Sequence, residues 1–206
     1  MTSKLSTAML AGIAITLAAG PAAALDDAPP PGWRAAVDTH ILPDIARIVG
    51  EPIVGFTVTA QNGRFAGIGQ DTIDALDGQW RAEREAGEQP LISAVLSNPA
   101  SSYLTRVQAQ SIGLYSEIFI MDDHGLNVGQ SNVSSDFWQG DEAKWQETFA
   151  RGAGSVFVDE PEFRDDIGVW VVQVNVSVDR DDAAIGAATF EVNLTELVRR
   201  TAAAAS

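Results

Sequence analysis

Apolar residues recur at three- and four-residue spacing through the first half of the chain and at alternate positions through the second. Trp33, Val37, Ile41, Ile45 and Ile48 fall on one helical face, with Pro43 placed to kink the helix. Residues 51–65 carry Ile53, Val54, Phe56 and Val58, a run whose period fits helix or strand. The stop at Gln61-Asn62-Gly63 favours helix. Residues 68–85 read as a clearer helix, with Ile73, Leu76 and Trp80 inward and Gln79, Arg81, Glu83 and Arg84 largely outward. Two short helices follow at 91–96 and 101–111, divided by Asn98-Pro99.

From Tyr115 the period becomes two. Strands at 117–121 and 126–130 flank the turn Asp122-Asp123-His124-Gly125, which leaves His124 exposed and idle. A helix at 141–151 turns Trp145 and Phe149 inward together and ends at Gly152 and Gly154. Then come a strand at 155–158, an acidic loop at 159–168, a long strand at 169–178, a turn at 179–182, a closing strand at 184–192 and a C-terminal helix at 194–205. The pattern predicts an α+β fold with helices packed on an antiparallel sheet.

The N-terminal 24 residues have the form of a secretory signal: Lys4, an apolar run at 9–19, and Ala22-Ala23-Ala24 before Leu25. That run is shorter than the about 20 residues that span a bilayer. Residues 25–32, with three consecutive prolines, form a lead-in, and 33–206 form a single domain. The expectation is a periplasmic or secreted protein. The net charge of −15 repels phosphate backbones and excludes nucleic acid as a partner.

Chemistry is limited by what the chain lacks. It has no cysteine and two histidines, His40 and His124, far apart in sequence. Disulfides, thiolate sites and a histidine-rich metal site are therefore not expected. Gly63, Gly67 and Gly69 lack the strand and helix context of a nucleotide loop, and no P-loop, G-x-S-x-G or H-E-x-x-H occurs. Asp179, Asp181 and Asp182 lack the sixth-place glycine and distal glutamate of a calcium loop. The reading is a non-catalytic protein without cofactor or metal.

The densest chemistry lies in 131–145, between strands, with two of the five tryptophans. Trp138 and Trp145 offer flat faces for stacking or for a cation, and core packing is the alternative for each. Asp136, Gln139, Asp141 and Glu142 offer polar contacts, with helix-start capping the alternative for Asp141 and Glu142. On the last strand Ala187, Thr189 and Glu191 share one face and Ala188, Phe190 and Val192 the other. Trp170 and Gln173 lie on opposite faces of their strand, and Trp170 is chosen as the ligand contact. The candidate ligand-binding set is Asp136, Trp138, Gln139, Asp141, Glu142, Trp145, Trp170 and Glu191, suited to an amine-bearing or cationic small molecule.

The segments Glu-Ile-Phe-Ile-Met-Asp-Asp-His-Gly-Leu (117–126), Ser-Ser-Asp-Phe-Trp-Gln-Gly-Asp-Glu-Ala-Lys-Trp (134–145) and Ile-Gly-Ala-Ala-Thr-Phe-Glu-Val-Asn (185–193) resemble Cache-type sensor domains, also called PDC domains. The resemblance extends over about 33–197. It implies a PAS-like antiparallel sheet of five or six strands, a long N-terminal helix along it, and a small-molecule pocket walled by 131–145. Members of that family usually carry membrane helices on both sides of the sensor. Here the chain stops soon after the last strand, so a free-standing module acting through a separate membrane-bound signalling or transport protein is expected. The amino-acid-binding arginine motif of the two-module relatives is not matched, because Ala143 stands two before Trp145. An interaction domain docking on a membrane receptor or kinase, and a small hydrolase, are the competing readings.

Overall fold

The computed structural model describes residues 28–204. The expected signal at 1–24 lies outside the described residues. Helix α1 spans 33–49 as Trp33–Ala36, a π-helical turn Val37–Ile41, and Leu42–Val49. The wide turn falls just before Pro43, which has no N–H and crowds the carbonyl four residues back. The Leu42 N–H accordingly donates to the Val37 carbonyl, five residues back. The anticipated kink is taken up as this π-turn, and Val37, Ile41, Ile45 and Ile48 are all buried. Helices α2 (Pro52–Arg64), α3 (Gln70–Arg84), α4 (Pro90–Leu96) and α5 (Pro99–Gln110) follow. Three of them start at a proline, whose missing N–H would have no helical partner there.

Six antiparallel strands form one sheet: β1 (Tyr115–Met121), β2 (Asn127–Gln130), β3 (Val156–Val158), β4 (Glu162–Arg164), β5 (Val169–Arg180) and β6 (Ala183–Asn193). The order is β2-β1-β6-β5-β3, with β4 also paired to β5. β5 is long enough to carry β4 along Val169–Val171 and β3 along Val174–Val176. The β5–β6 hairpin turns through Asp181 and Asp182, both with positive φ (53° and 62°), which matches the twist of a two-residue hairpin.

The two sheet faces have different fates. Ile118, Ile120, Val172, Val174, Val176, Ala188, Phe190 and Val192 point into the main core against α1, α2 and α5. The opposite face presents Phe119, Met121 and Ala187, against which Trp145 and Phe149 pack. Short α6 (Ala143–Gln146) and a 3-10 turn (Phe149–Arg151) belong to the segment crossing that outer face, and α7 (Leu194–Ala204) closes the described chain.

Three expectations need correction. The helix at 141–151 is broken into α6 and the 3-10 turn at Thr148, whose φ and ψ of −120° and −87° leave helical space. Its buried hydroxyl donates back to the Lys144 carbonyl. Trp145 and Phe149 still meet, their ring centroids 5.0 Å apart. The acidic loop at 159–168 contains β4. Glu83 is buried rather than outward: one carboxylate oxygen accepts from the Leu91 and Ile92 N–H groups and so caps α4.

Candidate functional site

The crossing segment 131–151 is held from below by α3 and from the side by the β1–β2 turn. Asp77, Trp80, Arg81 and Arg84 share one stripe of α3 through i, i+3, i+4 and i+7 spacing. Asp77 accepts from the N–H groups of Phe137 (2.9 Å) and Trp138 (3.1 Å), and Arg81 pairs with its other oxygen at 2.7 Å. The Trp80 indole donates to the Ser134 carbonyl and its ring stacks on Phe137. Arg84 donates to the Ser135 carbonyl.

Asp122 organises the turn. It is fully buried, and its carboxylate accepts from the N–H groups of His124 and Leu126 and from the Gln61 amide. Burial pushes its pKa up against those three donors. The indole N–H of Trp138 donates to the His124 carbonyl at 2.8 Å, and that of Trp145 to the Asp122 carbonyl at 3.1 Å. Both indoles thus brace the turn, which is the core-packing alternative for these residues. His124 is not idle in an exposed turn: its side chain is 23% exposed, and Nδ1 lies 2.6 Å from Asp123 Oδ1.

Between the outer sheet face and this segment lies a cleft of about 240 Å³. Five carboxylates line it, Glu142, Asp159, Glu160, Glu162 and Glu191, together with Lys144 and Gln173. Glu191 stands directly opposite Glu117 on β1 and Gln173 on β5, so the three polar residues form a row across the sheet. One Glu191 oxygen accepts from the Ser116 hydroxyl (2.5 Å) and from Arg164 (3.3 Å), while Arg164 also grips Asp166. Lys144 is paired with Glu142 at 2.8 Å, donates to Gln139 at 3.2 Å and lies 5.4 Å from the Phe119 ring centroid.

Of the residues proposed from sequence, Glu142 and Glu191 line the cleft. Gln139 and Asp136 stand one step back: the Gln139 amide donates to Asp136 at 2.6 Å while its oxygen holds Lys144. Asp141 is exposed and outside the cleft lining. Trp170 lies apart from the cleft. It packs against the helix-side core, its ring centroid 5.5 Å from that of Phe163, and its strand neighbour Gln173 takes the cleft face instead. Glu117, Lys144, Arg164 and the acids at 159–162 were not singled out. Alternation from Phe119 would have placed Glu117 on the outer face, but which face carried the cleft depends on tertiary packing.

Other cavities carry less chemistry. A groove of about 450 Å³ runs between α1 and β3, lined by Leu42, Ala46, Val49, Val156 and Val176 with Asp179 as its one charged group. Among the described residues, the one group of three or more side chains able to share a metal ion is Asp122, Asp123 and His124. The Asp122 oxygens there are already engaged by backbone and amide donors.

No protein-family model matches the sequence, and no curated protein sequence is similar to it. Solved structures do resemble it in fold. The ligand-binding domain of the Campylobacter jejuni chemoreceptor Tlp3, in complex with 4-methylisoleucine, is 13% identical with a TM-score of 0.37, over 82% of this chain and 64% of that one. The sensor domain of the V. cholerae histidine kinase DctB is 14% identical with a TM-score of 0.35, over 81% and 59%. The Pseudomonas aeruginosa chemoreceptor PctC domain, in complex with GABA, is 13% identical with a TM-score of 0.35, over 77% and 62%. These neighbours are Cache-type (PDC) sensor domains. The chain spans less than two thirds of the length of these three domains. Likeness this loose carries no argument about ligand or partner, which have to come from the cleft.

Proposed function

We propose that this chain is a non-catalytic small-molecule sensor module of the Cache type, with its ligand held in the acidic cleft between the outer sheet face and 131–151. The observation that carries the reading is the charge of that cleft: five carboxylates against one lysine, itself paired with Glu142. A concave, partly desolvated wall of one sign concentrates ligands of the other. An amine-bearing or cationic organic molecule is the ligand class that fits.

A single metal ion fits less well. Among the described residues, no three cleft acids bring ligand atoms within 4.8 Å of one another. Separated carboxylates suit a cation with several N–H donors spread along a short chain. Neither His40 nor His124 lines the cleft, which leaves its acids without an imidazole partner for proton transfer.

A module that binds and releases its ligand unchanged has an effect only through a second body. The reading therefore includes a membrane-bound signalling or transport protein as recipient, and export directed by the signal-like 1–24. Among the described residues, no helix is long and apolar enough to cross a membrane.

A thermal-shift screen with monoamines, diamines, amino acids and dicarboxylates tests the ligand class. Amines should raise the melting temperature through binding to the folded state. Stabilisation by dicarboxylates alone would overturn the charge argument.

A further inference from the structure

Glu117 is the one acid of the outer-face row whose carboxyl has neither a hydrogen-bond nor an ion-pair partner among the described residues. Its cross-strand neighbour Glu191 is held by Ser116 and Arg164. The nearby cation on the crossing segment, Lys144, is committed to Glu142 and Gln139. Like charges directly opposite in an antiparallel pair repel, and two carboxylates sharing a site do not both ionise readily. The charged groups that act on Glu117 come from four directions: Glu191 on β6, Arg164 on β4, Lys144 on α6, and Asp136 on the crossing segment. Glu191 and Lys144 line the cleft, so charge placed there is felt by the pair.

Resting on the reading of the cleft given above, we propose that Glu117, facing Glu191 across the strands, holds a proton while no cation occupies the cleft, and that an organic cation bound there expels it to solvent. The ligand keeps all its own protons, and the positive charge it brings replaces the one that leaves. The titration of Glu117 in the ligand-free protein agrees: burial and then Glu191 push its carboxyl up to about 7, against the opposing pull of Lys144 and Arg164. By reciprocity, affinity for a cation rises with pH until Glu117 is fully ionised, and an anionic ligand would show the opposite slope.

Calorimetry on the full chain, with putrescine as the probe and buffers of different ionisation heat, reads this directly. Below neutral pH, close to one proton should leave per putrescine bound, falling to none in alkali. The affinity should climb by about tenfold per pH unit below the midpoint and then level off. Glu117→Gln should bind putrescine with an affinity that no longer climbs through this pH range, releasing no proton. Side-chain carboxyl NMR of the unaltered chain gives a second measure, since saturating putrescine should move the Glu117 midpoint down. Putrescine binding without proton release, or affinity that falls as pH rises, would overturn the proton linkage and leave the acidic cleft standing. If putrescine and every other amine fail to bind, the cation reading itself falls and the linkage with it.

Discussion

Glu117 and Glu191 face each other across β1 and β6 on the sheet surface turned away from the main core, with the cleft beside them. Folding brings the two carboxyl groups together. The unfolded chain does not, so the pair links stability to pH.

The Glu117 carboxyl rises from the ordinary 4.5 to about 7 on folding, so the folded state holds its proton more tightly than the unfolded one. The stability this proton contributes is complete below pH 4.5, declines as pH rises toward 7, and is gone above that. The whole effect is at most about 3 kcal/mol. Glu117→Gln should remove this slope, melting like the unaltered protein in acid and several degrees higher in mild alkali. Paired melting curves across that range check it, and identical slopes for the two proteins would count against it.

Asp77→Ala should uncouple the crossing segment from α3. The N–H groups of Phe137 and Trp138 lose their acceptor and Arg81 loses its partner. Buried donors left unmatched cost about 1–3 kcal/mol each. Denaturant melts should show a loss in that range or above, and hydrogen exchange should rise first at 134–138.

Gly125→Ala should be among the costliest single changes. Gly125 has a φ of +82°, and an added Cβ would fall 2.6 Å from both the Cα and the nitrogen of Gly140. Both obstacles are backbone, so the turn and the crossing segment must separate, and a loss of more than about 3 kcal/mol follows. A melting temperature close to that of the unaltered chain would contradict this packing.

Trp138→Ala and Asp141→Ala should part company. The first deletes an indole that is partly buried in the α3–α4 cluster and bonded to the His124 carbonyl, and costs about 3 kcal/mol in stability. The second alters an exposed carboxylate outside the cleft lining, so both stability and amine affinity should stay within about twofold or 0.5 kcal/mol of the unaltered chain. Urea melts and amine titrations of the pair separate the two roles.

The hairpin turn Asp181-Asp182 carries positive φ at both positions without a glycine. Replacing the pair by Asn-Gly should stabilise the β5–β6 hairpin by about 0.5–1 kcal/mol, since those residues adopt this turn with less strain. A denaturant midpoint at or below that of the unaltered protein would refute the turn assignment.

Much of the architecture is legible in local pattern. The buried stripe from Val37 to Ile48, the opposed faces of Ala187–Thr189–Glu191 and Ala188–Phe190–Val192, and the turns at Asp122–Gly125 and Asp179–Asp182 follow from helical period, strand alternation and turn chemistry. Short pieces are harder to read. A three-residue strand such as β4 exists because β5 offers an open edge, and α6 stops where Thr148 finds a buried place. Propensity within either segment encodes neither event.

The sequence by itself determined which residues alternate, where the chain turns, and that 131–145 is rich in indole and acid. Only the tertiary structure decided what those groups do. The Asp77 carboxylate on α3, 61 positions before Trp138, accepts that residue's N–H, and carbonyls at the β1–β2 turn claim both tryptophans as braces. Strand register then sets Glu117 opposite Glu191, two acids 74 positions apart in the chain. Side-chain chemistry is local, but burial and charge–charge energy depend on distance through space, which a one-dimensional pattern does not contain.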